Sequence, residues 1–122
     1  MKILVFGNKD IKEDSLAIEI SKELENAVVC EKPEDILKYL NDEITILDVA
    51  RGISKVTLIE DLDKVDSFRF CSLHDFDIGF FMKLLKEIGR IENIKIIGIP
   101  VNYDKGKGLK EINLLIEKHL YK

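Results

Sequence analysis

The sequence predicts an α/β fold, a three-layer α/β/α sandwich around a mostly parallel, twisted sheet with an antiparallel edge, and three observations lead there. Several short aliphatic runs are nearly continuous instead of alternating, as strands buried on both faces require. Segments of helical period lie between them, which is the βαβα signature. Residues 55–70 interrupt that rhythm and read as a strand pair at a sheet edge. A length of 122 residues suits a single domain, 1–122, long enough to bury a core and too short for two.

In chain order, Ile3-Leu4-Val5-Phe6 is the opening strand. Leu16, Ala17, Ile20 and Leu24 mark one face of a helix, and Val28-Val29-Cys30 a shorter strand. A second helix is predicted from Ile36, Leu37 and Leu40, opened by Pro33 at a first helical position, where its missing N–H costs nothing. Ile44-Thr45-Ile46-Leu47 is expected at the centre of the sheet. Within 55–70, Val56 and Leu58 alternate with Thr57 and Ile59, followed by an acidic turn and by Phe68 and Phe70. A long helix from about Phe76 to Ile88 gathers Phe81, Leu84, Leu85 and Ile88 on one side and ends at Gly89, suited to a left-handed C-cap. Ile94 to Ile99 forms the last strand. The turn Asp104-Lys105-Gly106-Lys107-Gly108 then leads to a final helix from about Leu109 to Leu120, with Leu109, Ile112, Ile116 and Leu120 inward.

Composition removes several classes of function. Hydrophobic content of 46% and charged content of 34% are globular values, with no stretch biased toward disorder. No apolar run approaches the roughly 20 residues that cross a bilayer, and Met1 leads into a strand too short for a signal peptide, so a cytoplasmic protein is expected. Cys30 and Cys71 form no C-x-x-C pair and read as small buried side chains. Net charge is −4, with 10 basic and 18 acidic groups in residues 1–82 against 9 and 5 in residues 83–122. Neither part has the basic footprint of a nucleic-acid binder. The richness in Ile, Lys and Glu without Trp or Gln is a bias of thermophile proteins and bears on stability alone.

Ligands of open α/β sheets bind at the carboxyl ends of strands, which directs attention to the loops after Phe6, Leu47 and Ile99. The first loop runs from Gly7-Asn8 to Glu13-Asp14 and lacks any phosphate-binding glycine pattern. Taken alone, Asp14 is most cheaply explained as a helix N-cap. Asp48 is harder to dismiss, because it ends an aliphatic strand where an ionised carboxylate is costly unless paired, hydrogen-bonded or metal-bound. His74, in Cys71-Ser72-Leu73-His74-Asp75-Phe76, would alone be an ordinary loop histidine, and Ser72 with Asp75 fits a capping box. Together, one imidazole and two carboxylates suit a borderline divalent ion such as nickel or zinc. His119 sits in the last turn of the terminal helix, where the helix dipole accounts for it. No G-x-S-x-G elbow accompanies the serines, so covalent nucleophilic catalysis is not expected.

These segments, taken in order, resemble the hydrogenase maturation proteases, nickel-dependent endopeptidases that remove a C-terminal extension from [NiFe]-hydrogenase large-subunit precursors. The likeness begins in Lys2-Ile3-Leu4-Val5-Phe6-Gly7-Asn8 and the acidic pair Glu13-Asp14, and continues through Ile46-Leu47-Asp48-Val49. It extends to Ser72-Leu73-His74-Asp75-Phe76, similar to the family's Ser-Pro-His segment, and to Ile97-Gly98-Ile99-Pro100. The resemblance implies that Asp14, Asp48 and His74 contact nickel carried by the substrate, that no cofactor is permanently bound, and that the partner is a hydrogenase large-subunit precursor. It implies an aspartic-type maturation endopeptidase, with a phosphorylase/hydrolase-like sandwich. Glu31-Lys32-Pro33 stands where the family has an Asp-Gly-Gly-Thr stretch, and Leu73 where it has Pro.

Two other classes compete. A phosphoacceptor receiver domain has a similar length and an Asp after a central strand, but its acidic residues would follow the first strand at once and a Lys-Pro would follow the last. A non-catalytic maturation chaperone or adaptor would keep the site without the cleavage.

Overall fold

The four aliphatic runs become four parallel strands because each is apolar on both faces and can be covered from both sides. The computed structural model describes residues 2–7, 15–39, 43–60, 69–70, 87, 89 and 94–120. Its elements are β1 (Lys2–Phe6), α1 (Leu16–Ser21), β2 (Ala27–Cys30), a 3-10 helix (Pro33–Tyr39), β3 (Ile44–Arg51), β4 (Thr57–Ile59), β5 (Arg69–Phe70), β6 (Ile94–Pro100), α2 (Lys105–Leu115) and a π-helical turn (Ile116–Leu120). The sheet has the order β2-β1-β3-β6-β4, with β2, β1, β3 and β6 parallel and β4 antiparallel to β6. The mostly parallel sheet with an antiparallel edge is therefore the architecture present. Among the described residues, no helix is long and apolar enough to cross a membrane.

Alternation along the strands sends side chains into two cores. Leu4, Phe6, Ile46, Ala50 and Ile96 meet Cys30 and Ile36 on one face, and Ile3, Val5, Leu47, Ile97 and Ile99 meet Leu16, Ala17, Ile20 and Ile112 on the other. Helical segments thus cover both faces, completing the three layers. Full burial of each such Leu or Ile contributes roughly 1.5–3 kcal/mol.

Four expectations need correction, and a fifth, the long helix, falls mostly outside the described residues. The segment after β2 is a 3-10 helix, in which Ile36 is fully buried while Leu37 is 51% exposed. With three residues per turn, positions three apart eclipse, so Ile36 and Tyr39 share the inward side and Leu37 is turned out; Leu40 lies outside the described residues. The two short strands of residues 55–70 are both antiparallel, but β4 pairs with β6 and β5 with β3. β3 has eight residues against five in β1, so its last residues overhang β1 and leave backbone groups for β5 to satisfy. Asp48 consequently lies within β3 and not at its end. The long helix expected over 76–88 falls outside the described residues apart from Glu87, which is helical, and Gly89 beyond it has φ +74, the left-handed conformation of a C-cap.

The final helix starts at Lys105, four residues before the expected point, because Asp104 takes the N-cap in extended conformation and its carboxylate accepts the Lys107 N–H at 2.8 Å. Two glycines are thereby drawn into its first turn. Gly108 has a packing reason to be there, since a Cβ on it would stand 3.1 Å from Ile20 Cδ1, and α1 and α2 touch at this point. Replacing the cap by Asp104→Ala is expected to cost about 1 kcal/mol, read as a fall in Tm of about 4 °C; an unchanged melting curve would show that the cap does not hold this helix start.

Candidate functional site

Strand order decides where a ligand can enter. β1 is flanked by β2 on one side and β3 on the other, so the connections leaving β1 and β2 wind in opposite directions and a crevice opens at the carboxyl ends of β1 and β3. Val5 pairs with Leu47, which puts Asp48 level with Phe6 and beside the start of the Gly7 loop. Asp48 is therefore at the switch point between β1 and β3.

Its side chain is 0% exposed. By the pleat it shares a face with Ile46 and Ala50, and the Val49 N–H donates to its Oδ1 at 2.9 Å. On the neighbouring strand its register partner is Gly98. A Cβ at Gly98 would come within 3.2 Å of Ile53 Cδ1, 3.6 Å of Ala50 Cβ and 3.7 Å of Phe70 Cε1. The sheet face at Gly98 is thus tightly packed and apolar, and an adjacent main-chain amide fixes the orientation of the Asp48 carboxyl. Such a group is expensive to retain for structure alone. A glycine inside an aliphatic strand is the one sequence signal of this close packing.

Of the three residues singled out from the sequence, Asp48 is described, and Asp14 and His74 lie outside the described residues. The N-cap position of α1 falls on Ser15, one residue after Asp14, and Ser15 makes no side-chain capping hydrogen bond. Among the described residues, no group of three His, Cys, Asp or Glu side chains could hold a metal ion. Chemically, a carboxyl in this position is of the type that accepts a proton or serves as an oxygen donor to a cation.

Two neighbouring clusters serve structure. Where the family pattern has Asp-Gly-Gly-Thr, Asp35 Oδ2 accepts the N–H groups of Glu31 and Lys32 at 3.2 and 3.3 Å and thereby caps the 3-10 helix. Hydrogen bonding to Lys38 holds the Asp35 carboxyl below the usual carboxylate range. At the corner between β6 and α2, the Tyr103 hydroxyl donates to the Glu111 carboxylate, at 2.8 Å to Oε2, and that bond raises the Tyr103 pKa.

Cys30 is buried, and burial pushes its thiol up to about 11 from 9.0, with Asp35 adding to the effect and Lys38 opposing it. At pH 8 its thiolate fraction is about 100-fold below that of a thiol at the ordinary value. Iodoacetamide is expected to label Cys30 in a Cys71→Ser chain at least ~100-fold more slowly when folded than in urea. Comparable rates would contradict the burial of this thiol.

A four-stranded parallel sheet with an antiparallel edge strand and helical segments on both faces defines the class as a three-layer α/β/α domain. Solved structures of the same class include two hydrogenase maturation proteases. The [NiFe] hydrogenase maturation protease HybD from Thermococcus kodakarensis matches with a TM-score of 0.62 at 22% identity over 100% of both chains. The hydrogenase maturating endopeptidase HybD from E. coli matches with a TM-score of 0.64 at 13% identity, over 98% of this chain and 94% of that one. An uncharacterized protein from Wolinella succinogenes matches with a TM-score of 0.55 at 17% identity, over 98% and 95%. No family model and no curated protein sequence matches the chain. The likeness read from the residues therefore holds at the level of fold, along the whole chain.

Proposed function

We propose that this chain is a maturation endopeptidase that removes the C-terminal extension of a [NiFe]-hydrogenase large-subunit precursor after nickel insertion. The observation that carries the proposal is Asp48, a fully buried carboxyl at the switch point of a fold shared end to end with two hydrogenase maturation proteases. Fold likeness by itself does not assign function, and it is the placement of this side chain that favours the reading. Nickel enters as part of the substrate, met by Asp48 together with Asp14 and His74. These are two oxygen donors and one imidazole, a set suited to a borderline ion. Once the ion has docked the precursor, a carboxylate within reach of the scissile bond takes a proton from the attacking water.

The test is intact-mass measurement of a co-expressed hydrogenase large subunit, with and without nickel. Loss of a C-terminal fragment only when nickel is present, and its absence with the His74→Ala chain, is the expected result. A precursor that binds but keeps its full mass would assign the chain to a chaperone or adaptor. A receiver function is disfavoured by the antiparallel strand β4 and by the absence of a Lys-Pro pair after β6.

A further inference from the structure

One row of side chains crosses the Asp48 face of the sheet, and it has a gap. Asp48 on β3 is paired with Gly98 on β6, and Gly98 with Thr57 on β4. By the pleat all three positions lie on the face that carries Ile46, Ala50, Ile59 and Ile96. Neighbouring strands are about 4.8 Å apart, so the missing side chain of Gly98 leaves a notch directly beside Asp48. Two apolar side chains from outside the row close on it: Ile53 Cδ1 stands 3.2 Å, and Phe70 Cε1 3.7 Å, from where a Cβ would be. Ile53 comes from the connection between β3 and β4, in which Gly52, Ser54 and Lys55 are exposed while Ile53 is half-buried against the core. Gly52 has φ +83, a conformation that glycine adopts without strain, and it turns the chain back over the sheet straight after β3. Phe70 is brought by β5 to the overhang of β3, opposite Ala50. An exposed connection and a two-residue strand are thus held down at one point, and that point adjoins the carboxyl of the candidate site.

We propose that Gly98, Ile53 and Phe70 are positioning residues for Asp48. The notch at Gly98 seats the two apolar side chains, and they form the wall on the β6 side of Asp48 that fixes the direction in which its carboxyl meets the substrate. The part this plays in precursor cleavage rests on the function proposed above. Gly98→Val adds three carbons to the notch and pushes the wall outward, Ile53→Ala removes three from the wall, and the two together conserve volume across the contact. The Val49 N–H is bonded to Asp48 Oδ1 at 2.9 Å, so its proton signal in NMR spectra of the full chain reports how that carboxyl is held. It should move upfield in each single variant and return toward its original position in Gly98→Val/Ile53→Ala. With nickel-loaded precursor, kcat should fall ~10-fold in each single variant while KM changes far less, and the double variant should recover most of the loss. Ile53→Ala alters only a half-buried side chain of a connection, so its two readouts decide the proposal even where Gly98→Val fails to fold. A Val49 signal or a kcat unmoved in Ile53→Ala, or losses that the double variant does not repair, would overturn the wall. If the unaltered chain cuts no precursor while the Val49 signal moves and returns as stated, the protease function falls and the wall stands.

Discussion

Asp48→Asn is expected to abolish precursor cleavage, by at least ~100-fold in kcat, while changing Tm little. The side chains are nearly isosteric, and the Asn carbonyl oxygen can still accept the Val49 N–H that Asp48 Oδ1 receives at 2.9 Å. What disappears is the anionic form, which would contact nickel on the substrate or accept a proton. Because Asn keeps the shape of the side chain and this hydrogen bond, the packing around the fully buried position is preserved. Loss of function without loss of stability is the signature of a residue retained for chemistry. Cleavage at the normal rate would remove Asp48 from the proposed mechanism, and a large fall in Tm in parallel with activity would make it a structural residue.

The largest expected effect on stability is that of Leu47→Ala, about 3 kcal/mol within a usual range of 2–5. Leu47 is 0% exposed, lies between Val5 on β1 and Ile97 on β6, and packs in the core beneath α1 and α2. Strands on both sides prevent the backbone from closing the cavity, which holds the cost well above the transfer term alone. Against a typical total of 5–15 kcal/mol this is a large share. Urea unfolding should show a lower midpoint at an unchanged slope. Leu114→Ala, at a position 45% exposed on α2, is the control and should shift stability by less than about 0.5 kcal/mol. A Leu47→Ala cost below about 1 kcal/mol would mean that this face of the sheet is not tightly packed.

The strands were legible because burial on both faces leaves a continuous aliphatic run, a pattern that needs no knowledge of neighbours. All four parallel strands lie where those runs are. Asp48 was legible for the same reason, as the acidic residue that follows such a run, although the strand continues past it to Arg51. Helix limits were less so. Gly106 and Gly108 suggest a turn, and only the capping bond from Asp104 and the close approach of Ile20 make them helical. Nor does local sequence distinguish a 3-10 from an α-helix over seven residues, since what decides it is which side chains the sheet can accept.

By itself, then, the sequence determined the parallel core, its layered class and the buried position of Asp48, because these follow from local apolarity. Only the tertiary structure decided what surrounds that carboxyl: the Gly98 register partner and the overhang of β3 that receives β5. Those are relations between strands far apart in the chain, fixed by how many residues each strand leaves unpaired, and no run of neighbouring residues encodes that difference.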